Sequence, residues 1–153
     1  MLLITGATGF VGRHLLDELA LRHIPFRGAS RVPCGDLLAV GPLSGRTDWQ
    51  PALAGVDTVV HLAAVNENVV ARTPDDERAY DVVNVEATTA LARQAAEAGI
   101  KKFVFLSTVK VNGEMSGPGK PFSSLDEPKP GTLYANSKYR AEQCLTEIAR
   151  RTG

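Results

Sequence analysis

Three glycines at every third position, directly after a short apolar run, are the feature that most constrains this chain. The segment Gly6-Ala7-Thr8-Gly9-Phe10-Val11-Gly12 follows residues 2–5. In such a turn one glycine allows the tight bend, the next lets backbone approach a pyrophosphate, and the third allows a helix to pack closely on a strand. The free N–H groups of that helix then face the phosphates. The spacing predicts a strand–turn–helix unit that binds a dinucleotide; a glycine-rich turn that merely packs tightly is the alternative.

Strand-like and helix-like segments alternate along the rest of the chain, which is typical of a parallel α/β sheet. We predict strands over residues 2–5, 26–30, 58–62 and 102–107, with a short third strand near Leu43. We predict helices over residues 10–22, 76–98 and 134–151, the last two ended by Gly99 and Gly153, and a helical turn over 52–55. Residues 112–131 carry four prolines and four glycines and are predicted to form a long loop. The fold class is a three-layer Rossmann domain over residues 1–153, a doubly wound parallel sheet with strand order 3-2-1-4-5.

Composition excludes several functional classes. The chain has 153 residues with 17 basic and 17 acidic side chains, so no basic excess favours nucleic acid or a membrane surface. No apolar run reaches the roughly 18 residues of a transmembrane helix. Cys34 and Cys144 lie far apart, in neither a metal nor a redox spacing, and are interpreted as free thiols in a reducing compartment. We therefore expect a cytoplasmic protein without a metal site.

The end of the second predicted strand bears on the choice of coenzyme. NAD-specific Rossmann sites place an acidic residue there to hold the ribose hydroxyl, whereas an arginine accommodates a 2′-phosphate. This chain has Ala29-Ser30-Arg31 at that point and no acid. The guanidinium of Arg31 matches phosphate geometry, which favours NADP slightly over NAD. The alternative is a solvated arginine that stacks loosely on adenine.

A tyrosine and a lysine four residues apart lie on the last predicted helix. Tyr134 and Lys138 occupy positions i and i+4 and therefore share one helix face. An isolated tyrosine ionises only near pH 10, but an adjacent ammonium favours the phenolate. The pair is suited to general acid–base catalysis coupled to hydride transfer. Two exposed residues on an amphipathic helix are the alternative, since this spacing is common by chance.

The order of these motifs resembles the extended short-chain dehydrogenase/reductase family, of the NAD-dependent epimerase/dehydratase type. The resemblance rests on the glycine turn, the segment Asp57-Thr58-Val59-Val60-His61-Leu62-Ala63-Ala64, the pair Ser107-Thr108 after the fifth strand, and the Tyr–Lys pair. It covers essentially the whole chain. The segment Lys110-Val111-Asn112-Gly113-Glu114 departs from the commoner V-Y-G and looks like a bacterial subgroup similar to UDP-glucose 4-epimerases or nucleotide-sugar 4-keto reductases.

The resemblance implies roles for individual residues. Aligning Gly113 with the family's glycine puts Thr108 at the catalytic Ser/Thr position, beside Tyr134 and Lys138. His61 is interpreted as a packed rather than a catalytic histidine, and Asn84 as the family's helix asparagine that ties strands together. The residues implied to bind the cofactor are Gly6, Thr8, Gly9, Phe10, Val11, Gly12, Arg31, Asp48, Trp49, Leu62, Ala63, Ala64, Asn66, Asn84, Ser107, Tyr134 and Lys138.

The function implied by the resemblance is a sugar-nucleotide epimerase that oxidises C4 and returns the hydride to the other face. A one-way NADPH-dependent reductase of a 4-keto sugar nucleotide is the close alternative, and a non-catalytic dinucleotide sensor is an alternative of another class. The expected substrate is a UDP-sugar. Family members continue into a C-terminal substrate lobe beyond the Tyr–Lys helix, so we expect this portion to keep the fold and cofactor site but to bind substrate poorly.

The resemblance also implies a homodimer through the two long helices. Val83, Leu91, Ala95, Tyr139 and Leu145 either form that interface or cover the sheet.

Overall fold

The computed structural model describes residues 1–66 and 74–152, which form a five-stranded parallel sheet flanked by helices. The strand order is β3-β2-β1-β4-β5, which confirms the predicted doubly wound Rossmann topology. The strands are β1 (Leu2–Thr5), β2 (Phe26–Ser30), β3 (Leu38–Ala39), β4 (Thr58–His61) and β5 (Lys102–Phe105). Gly153 lies outside the described residues, so its predicted role as a helix stop is not considered further.

The register of the sheet aligns the carboxyl ends of the central strands. Thr5 at the end of β1 lies beside His61 at the end of β4, and His61 lies beside Phe105 at the end of β5. On the other side Thr5 pairs with Ala29 in β2. Ligands of open α/β sheets bind outside these carboxyl ends, where the strand order reverses. This edge therefore brings the glycine turn and the segment after β5 to the same side of the molecule.

The helices follow the predicted alternation closely. The first helix ends at Leu21 and His23 has a positive φ of 54°, which starts the turn into β2. Gly99 has a φ of 74°, the left-handed conformation predicted for the end of the second long helix. The helices are α1 (Phe10–Leu21), α2 (Gln50–Leu53), α3 (Pro74–Ala79), α4 (Thr88–Glu97) and α5 (Leu133–Thr152), with a π-helix over Tyr80–Ala87 and a 3₁₀ turn over Val109–Val111.

The long helix before β5 contains a feature that periodicity does not predict. Between α3 and α4, residues Tyr80–Ala87 adopt π-helical geometry. The wider π turn is rare and is frequently found at functional sites. Here Tyr80 and Asn84 are both buried.

The predicted third strand near Leu43 is wrong in position. The third strand is the short β3 at Leu38–Ala39, whereas Leu43 lies in the loop that follows. Gly41 has a φ of 76°, a left-handed conformation that breaks extended structure. Pro42 follows and has no N–H to give to a strand ladder. The apolar character of Leu43 serves packing instead, because its side chain is buried in the core.

The core lies between one face of the sheet and the helices α2 and α4. Trp49 is completely buried there, together with Leu3 of β1 and Val59 of β4. Leu91 and Ala95 of α4 belong to the same cluster. Of the two roles open for these helix residues, Leu91 and Ala95 therefore cover the sheet within the chain itself.

Two further observations concern the cysteines and the helices. Cys34 and Cys144 are both free thiols. Across residues 1–66 and 74–152, no helix combines the length and the hydropathy that a membrane span requires.

Candidate functional site

The glycine turn is shaped by contacts that no side chain would permit. Gly6 has a φ of 68°, and a Cβ there would lie 2.7 Å from the backbone nitrogen of Ala63. A Cβ on Gly12 would lie 2.2 Å from the carbonyl oxygen of Gly6. Gly6 therefore lets β1 and the segment after β4 approach each other, and Gly12 lets α1 pack on the turn. These are two of the three roles that the spacing predicts.

The amino terminus of α1 forms an anion site beside this turn. The helix begins at Phe10, and Gly9 before it has no side chain to cap the first turn. The first N–H groups of a helix lack intrahelical partners, and its dipole favours negative charge. The only close contact of a Cβ on Gly9 would be the Gly6 carbonyl oxygen, at 3.2 Å. The residues present therefore fit a diphosphate lying against backbone, which is the central part of a dinucleotide.

A cleft of about 340 Å³ runs from this turn across the carboxyl ends of β1, β2 and β4. Nine of the residues predicted to bind a cofactor line it, and they come from the glycine turn, the end of β2, the start of α2 and the segment after β4. They are Gly6, Thr8, Gly9, Arg31, Trp49, Leu62, Ala63, Ala64 and Asn66. The structure thus brings together at one cleft residues that lie up to sixty positions apart in the sequence.

Sequence reasoning missed part of the cleft wall. Ala29, Ser30, Val40, Leu43 and Val83 also line it. Val40 and Leu43 follow β3, so a correct position for that strand would have found them. Trp49 is 0% exposed, and its indole Nε1 has no hydrogen-bond partner among the described residues. A buried donor without a partner is uncommon in native structures, and this one belongs to a residue of the cleft wall.

The end of β2 carries the arginine on which the choice of coenzyme depends. Arg31 is exposed and lines the cleft. The hydroxyl of Ser30, by contrast, donates to the carbonyl oxygen of Val32 at 2.5 Å and is thereby turned into its own loop. The guanidinium is therefore the charged group available at this end of the cleft.

Asp48 does not line the cleft, contrary to the role implied for it. Its carboxylate Oδ1 accepts a hydrogen bond of 3.0 Å from the backbone N–H of Gln50, at the start of α2. Aspartate side chains commonly bond the backbone two residues on in this way, which forms a local turn. Its neighbour Trp49 lines the cleft instead.

Phe10, Val11 and Gly12 also lie outside the cleft lining. Phe10 is 74% exposed, and its ring centroid lies 4.7 Å from that of His14 one turn along α1. Val11 is exposed as well. These residues follow the turn on the outer face of the helix, and Gly12 acts through packing. Their implied cofactor contacts could come only through backbone N–H groups.

Asn84 supports the cleft wall rather than facing it. Its Oδ1 accepts from the Val65 N–H at 2.8 Å, and its Nδ2 donates to the Val65 carbonyl oxygen at 2.9 Å. The same Nδ2 donates to the Ser137 hydroxyl on α5 at 2.9 Å. One buried amide thus joins the segment after β4 to the Tyr–Lys helix, and the cofactor contact implied for Asn84 stays a prediction. Its partners lie far away in sequence, which is why the sequence could not assign them.

His61 is held by hydrogen bonds on both ring nitrogens. Nδ1 lies 2.6 Å from the hydroxyl of Thr5, and Nε2 lies 2.8 Å from the hydroxyl of Thr88. The side chain is 1% exposed. Burial, and secondarily the nearby charge of Lys138, lower the pKa of His61 from 6.5 to about 3. The ring is therefore neutral at neutral pH, which agrees with the interpretation of a packed histidine.

Lys138 is buried above an aromatic ring. Its side chain is 2% exposed, and Nζ lies 3.9 Å from the ring centroid of Phe105 at the end of β5. The other neighbour of that ring is His61, stacked at a centroid distance of 5.9 Å. Burial lowers the pKa of Lys138 from 10.5 to about 8, while the charge of Glu142 opposes this shift. A cation over an aromatic face is stabilised without a hydrogen-bond acceptor.

Tyr134 lies one turn before Lys138 on α5, half-buried. Its ring centroid is 6.5 Å from that of Tyr80 in the π-helix, whose hydroxyl donates to the Asn66 carbonyl oxygen at 3.2 Å. Lys138 and Tyr134 are thus fixed by different neighbours, one by β5 and one by the π-helix.

Thr108 and Ser107 follow β5 and have different partners. The hydroxyl of Thr108 accepts from the Lys110 N–H at 3.3 Å and caps the 3₁₀ turn, which packs on α5. An acceptor keeps its own hydrogen, so the Thr108 hydroxyl remains able to donate. Ser107 donates to the carboxylate of Glu142 on α5, and the cofactor contact implied for it stays a prediction.

Comparison with known proteins identifies the class that this fold and site define. Residues 2–153 match the model of the NAD-dependent epimerase/dehydratase family. The chain belongs to that family.

Individual relatives extend the comparison. A UDP-glucose 4-epimerase of Vibrio cholerae is 37% identical over 97% of this chain and 47% of its own length. A 3-beta-hydroxysteroid dehydrogenase of Mycolicibacterium neoaurum is 32% identical over 95% of this chain and 41% of its own. The solved structure of MoeE5 with UDP-glucose and NAD is 30% identical, with a TM-score of 0.83 over 97% of this chain and 48% of that one. The chain thus spans about half the length of the proteins it matches.

Proposed function

We propose that this chain is the cofactor-binding and catalytic portion of an NAD-dependent sugar-nucleotide epimerase acting on a UDP-sugar. The observation that supports the proposal is that Lys138 lies over Phe105 at the end of β5, three residues before Thr108, with Tyr134 one turn earlier on the same helix. Two similar proteins support the substrate class. One is named a UDP-glucose 4-epimerase, and the other is MoeE5, whose solved structure is in complex with UDP-glucose and NAD.

The chemistry divides between the bound coenzyme and the chain. A nicotinamide bound there supplies a hydride acceptor and donor for C4 of the sugar. Tyr134 takes the proton of the C4 hydroxyl at its phenol oxygen and later returns it. The ammonium of Lys138 favours the phenolate. Thr108 accepts a hydrogen bond from its own turn, so its hydroxyl can donate one to the reacting oxygen.

A test of the catalytic roles compares Tyr134→Phe with the wild type in the longest natural form of the protein. The change removes the proton carrier and is expected to lower turnover at least a hundredfold, because acid–base groups contribute about 10²–10⁴ in rate. The affinity for NADH should stay within about twofold, since the cleft wall is intact. Tyr139→Phe on the same helix is the matched control. No turnover in the wild type, with NADH affinity unchanged in Tyr134→Phe, would favour the non-catalytic sensor, and equal measurable turnover in both would contradict the role of Tyr134.

A second candidate function, the NADPH-dependent 4-keto reductase, is favoured by one observation. Arg31 lines the cleft at the end of β2, where no acid is present. Calorimetric titration with NADH and NADPH separates the candidates. Tighter binding of NADPH that is lost in Arg31→Ala, with Arg22→Ala as an exposed control, would favour the reductase. A preference for NADH that Arg31→Ala leaves unchanged would favour the epimerase. Binding of neither coenzyme would contradict both candidates for this chain.

We also propose a homodimer through the π-helix, α4 and α5. Leu91 and Ala95 are already used in the core, so Tyr139 and Leu145, which are half-buried, are the remaining candidates on α5. Sedimentation should show a dimer that Leu145→Glu dissociates. Leu21→Glu, at an exposed position of α1, should have no effect. A wild-type monomer at all concentrations would contradict the proposal.

The cytoplasm is proposed as the location because both cysteines are free thiols. Thiol labelling of intact cells and of lysates tests it. Labelling by a membrane-impermeant reagent before lysis would contradict it.

A further inference from the structure

One carboxylate outside the predicted constellation is hydrogen-bonded to the end of β5 and lies one helical turn from Lys138. Glu142 lies on α5, four residues after Lys138 and therefore on the same helix face. It accepts a hydrogen bond from the hydroxyl of Ser107, the first residue of the Ser–Thr pair after β5. Glu142 thus connects the end of β5 with the helix that carries Tyr134 and Lys138.

The groups packed around Lys138 disfavour its charged form, and a carboxylate nearby opposes that effect. Phe105 lies under the ammonium from β5, and the neutral ring of His61 lies beyond Phe105 from β4. Both remove the ammonium from water, and burial is what lowers the pKa of Lys138 to about 8. Glu142 on α5 acts in the opposite direction and favours the charged form. A lysine that is to favour a phenolate must carry its charge, so this opposition matters for catalysis.

We propose that Glu142 is a positioning residue of the Tyr134–Lys138 site, which holds the Ser107 hydroxyl against α5 and places a negative charge one helical turn from Lys138. The inference rests on the proposed function for its catalytic meaning, but its physical content is independent of any bound ligand. The hydrogen bond to Ser107 fixes the carboxylate, because a charge-assisted bond of this kind is stronger than a neutral one. The same bond anchors the backbone directly before Thr108. One side chain thereby sets the distance between the strand end and the catalytic helix.

The test follows the titration of Lys138 directly. Protein labelled with ¹³C-lysine is titrated by NMR without cofactor, and Lys138→Arg identifies the signal. In Glu142→Gln the carboxamide keeps the shape and a hydrogen bond to Ser107 but loses the charge, so the pKa of Lys138 should fall clearly below its wild-type value. Glu142→Asp keeps the charge and should restore much of the difference. NADH binding at pH 8 should weaken roughly fivefold in Glu142→Gln, since fewer molecules carry a charged lysine.

Two further variants separate charge from packing. Ser107→Ala removes the hydroxyl and leaves the carboxylate, so it should not lower the pKa of Lys138 as Glu142→Gln does. Glu147 lies on the exposed side of α5 and pairs with Arg151, so Glu147→Gln should leave the pKa of Lys138 unchanged. The same Lys138 pKa in wild type, Glu142→Gln and Glu142→Asp would overturn the proposal. A wild type that binds no NADH while Glu142→Gln still lowers the Lys138 pKa would overturn the proposed function and leave the positioning role standing.

Discussion

The glycine turn and the proposed catalytic edge, where Lys138, His61 and Asn84 lie, are at the same end of the sheet but are built in opposite ways. At the turn, Gly6 and Gly12 act through the absence of side chains, and backbone atoms make the contacts. At the catalytic edge, Lys138, His61 and Asn84 are almost wholly buried polar side chains, each held by partners from other elements. The shape of the turn therefore depends on the room left by the missing side chains, whereas the catalytic edge depends on a network of hydrogen bonds and charges.

This difference teaches where each region is vulnerable. Added atoms should harm the turn, since there is no room for them. Removed atoms should harm the catalytic edge, because a buried polar group that loses its partner costs free energy. The following variants test this contrast, beginning with the largest expected effect.

Gly6→Ala should be the most damaging single change at the turn. The added methyl group meets the Ala63 backbone at 2.7 Å in a left-handed conformation. Strain and overpacking together should lower the free energy of unfolding by about 4 kcal/mol. Gly99→Ala has the same left-handed φ with nothing within 4 Å, so it isolates the strain and should cost about 1 kcal/mol. Chemical denaturation measures both. Equal losses would mean that crowding is not what shapes the turn.

Asn84→Ala should be the most damaging change in the network at the catalytic edge. It leaves the Val65 N–H and carbonyl groups without their partner and removes the contact with Ser137. The free energy of unfolding should fall by about 3 kcal/mol. Asn136→Ala, at an exposed position of α5, should stay within about 0.5 kcal/mol of wild type. A loss below 1 kcal/mol in Asn84→Ala would mean that other contacts stabilise this edge.

His61 should make the stability of the protein depend on pH. Its pKa is lowered from 6.5 to about 3 in the fold, so between these values the unfolded chain binds the extra proton. The contribution of the neutral ring is complete above pH 6.5 and is lost as the pH falls toward 3. At pH 5 the loss should be about 2 kcal/mol. Denaturation at pH 7.5 and pH 5 should show this loss in wild type and in His23→Asn, an exposed position, but not in His61→Leu.

The contact between Lys138 and Phe105 should give the smallest effect. A double-mutant cycle of Lys138→Met with Phe105→Leu should yield a coupling of about 1 kcal/mol, the usual size of a cation–π contact. The same cycle with Phe103→Leu should give a smaller coupling, since the ammonium lies over Phe105. Couplings of equal size would attribute the stabilisation to general packing.

The same contrast explains what the sequence could predict. The glycine turn is a local pattern, so its position, the strands β1 and β2 and the helix α1 follow from spacing alone. Tyr134 and Lys138 are also local, one helical turn apart. The partners of Asn84, His61 and Lys138 come from strands and helices far along the chain, and no spacing rule connects them.

The elements after β2 were harder to predict from the sequence for a related reason. A two-residue strand carries too little pattern to be located, so β3 was expected near Leu43 rather than at Leu38–Ala39. The hydrogen bond that Asp48 accepts from Gln50 lies at the start of α2, which the sequence predicted two residues late. Errors in the boundaries of short elements therefore became errors in the assignment of the cleft wall.

The π-helix has a consequence for how this segment can change in length. In a π-helix each turn holds one residue more than the nearest α-helical turn, which is equivalent to a one-residue insertion. Deleting a single residue within Tyr80–Ala87 would let the segment relax to α-helical geometry and leave α3 and α4 in nearly the same relative orientation. The same deletion within α4 would rotate everything before it by about 100°, because an α-helix has no extra residue to give up. Tyr80 would then leave Tyr134, and Asp81 would leave Arg140, its ion-pair partner at 2.5 Å. We expect single-residue gaps to be better tolerated in the π-helix than in α4.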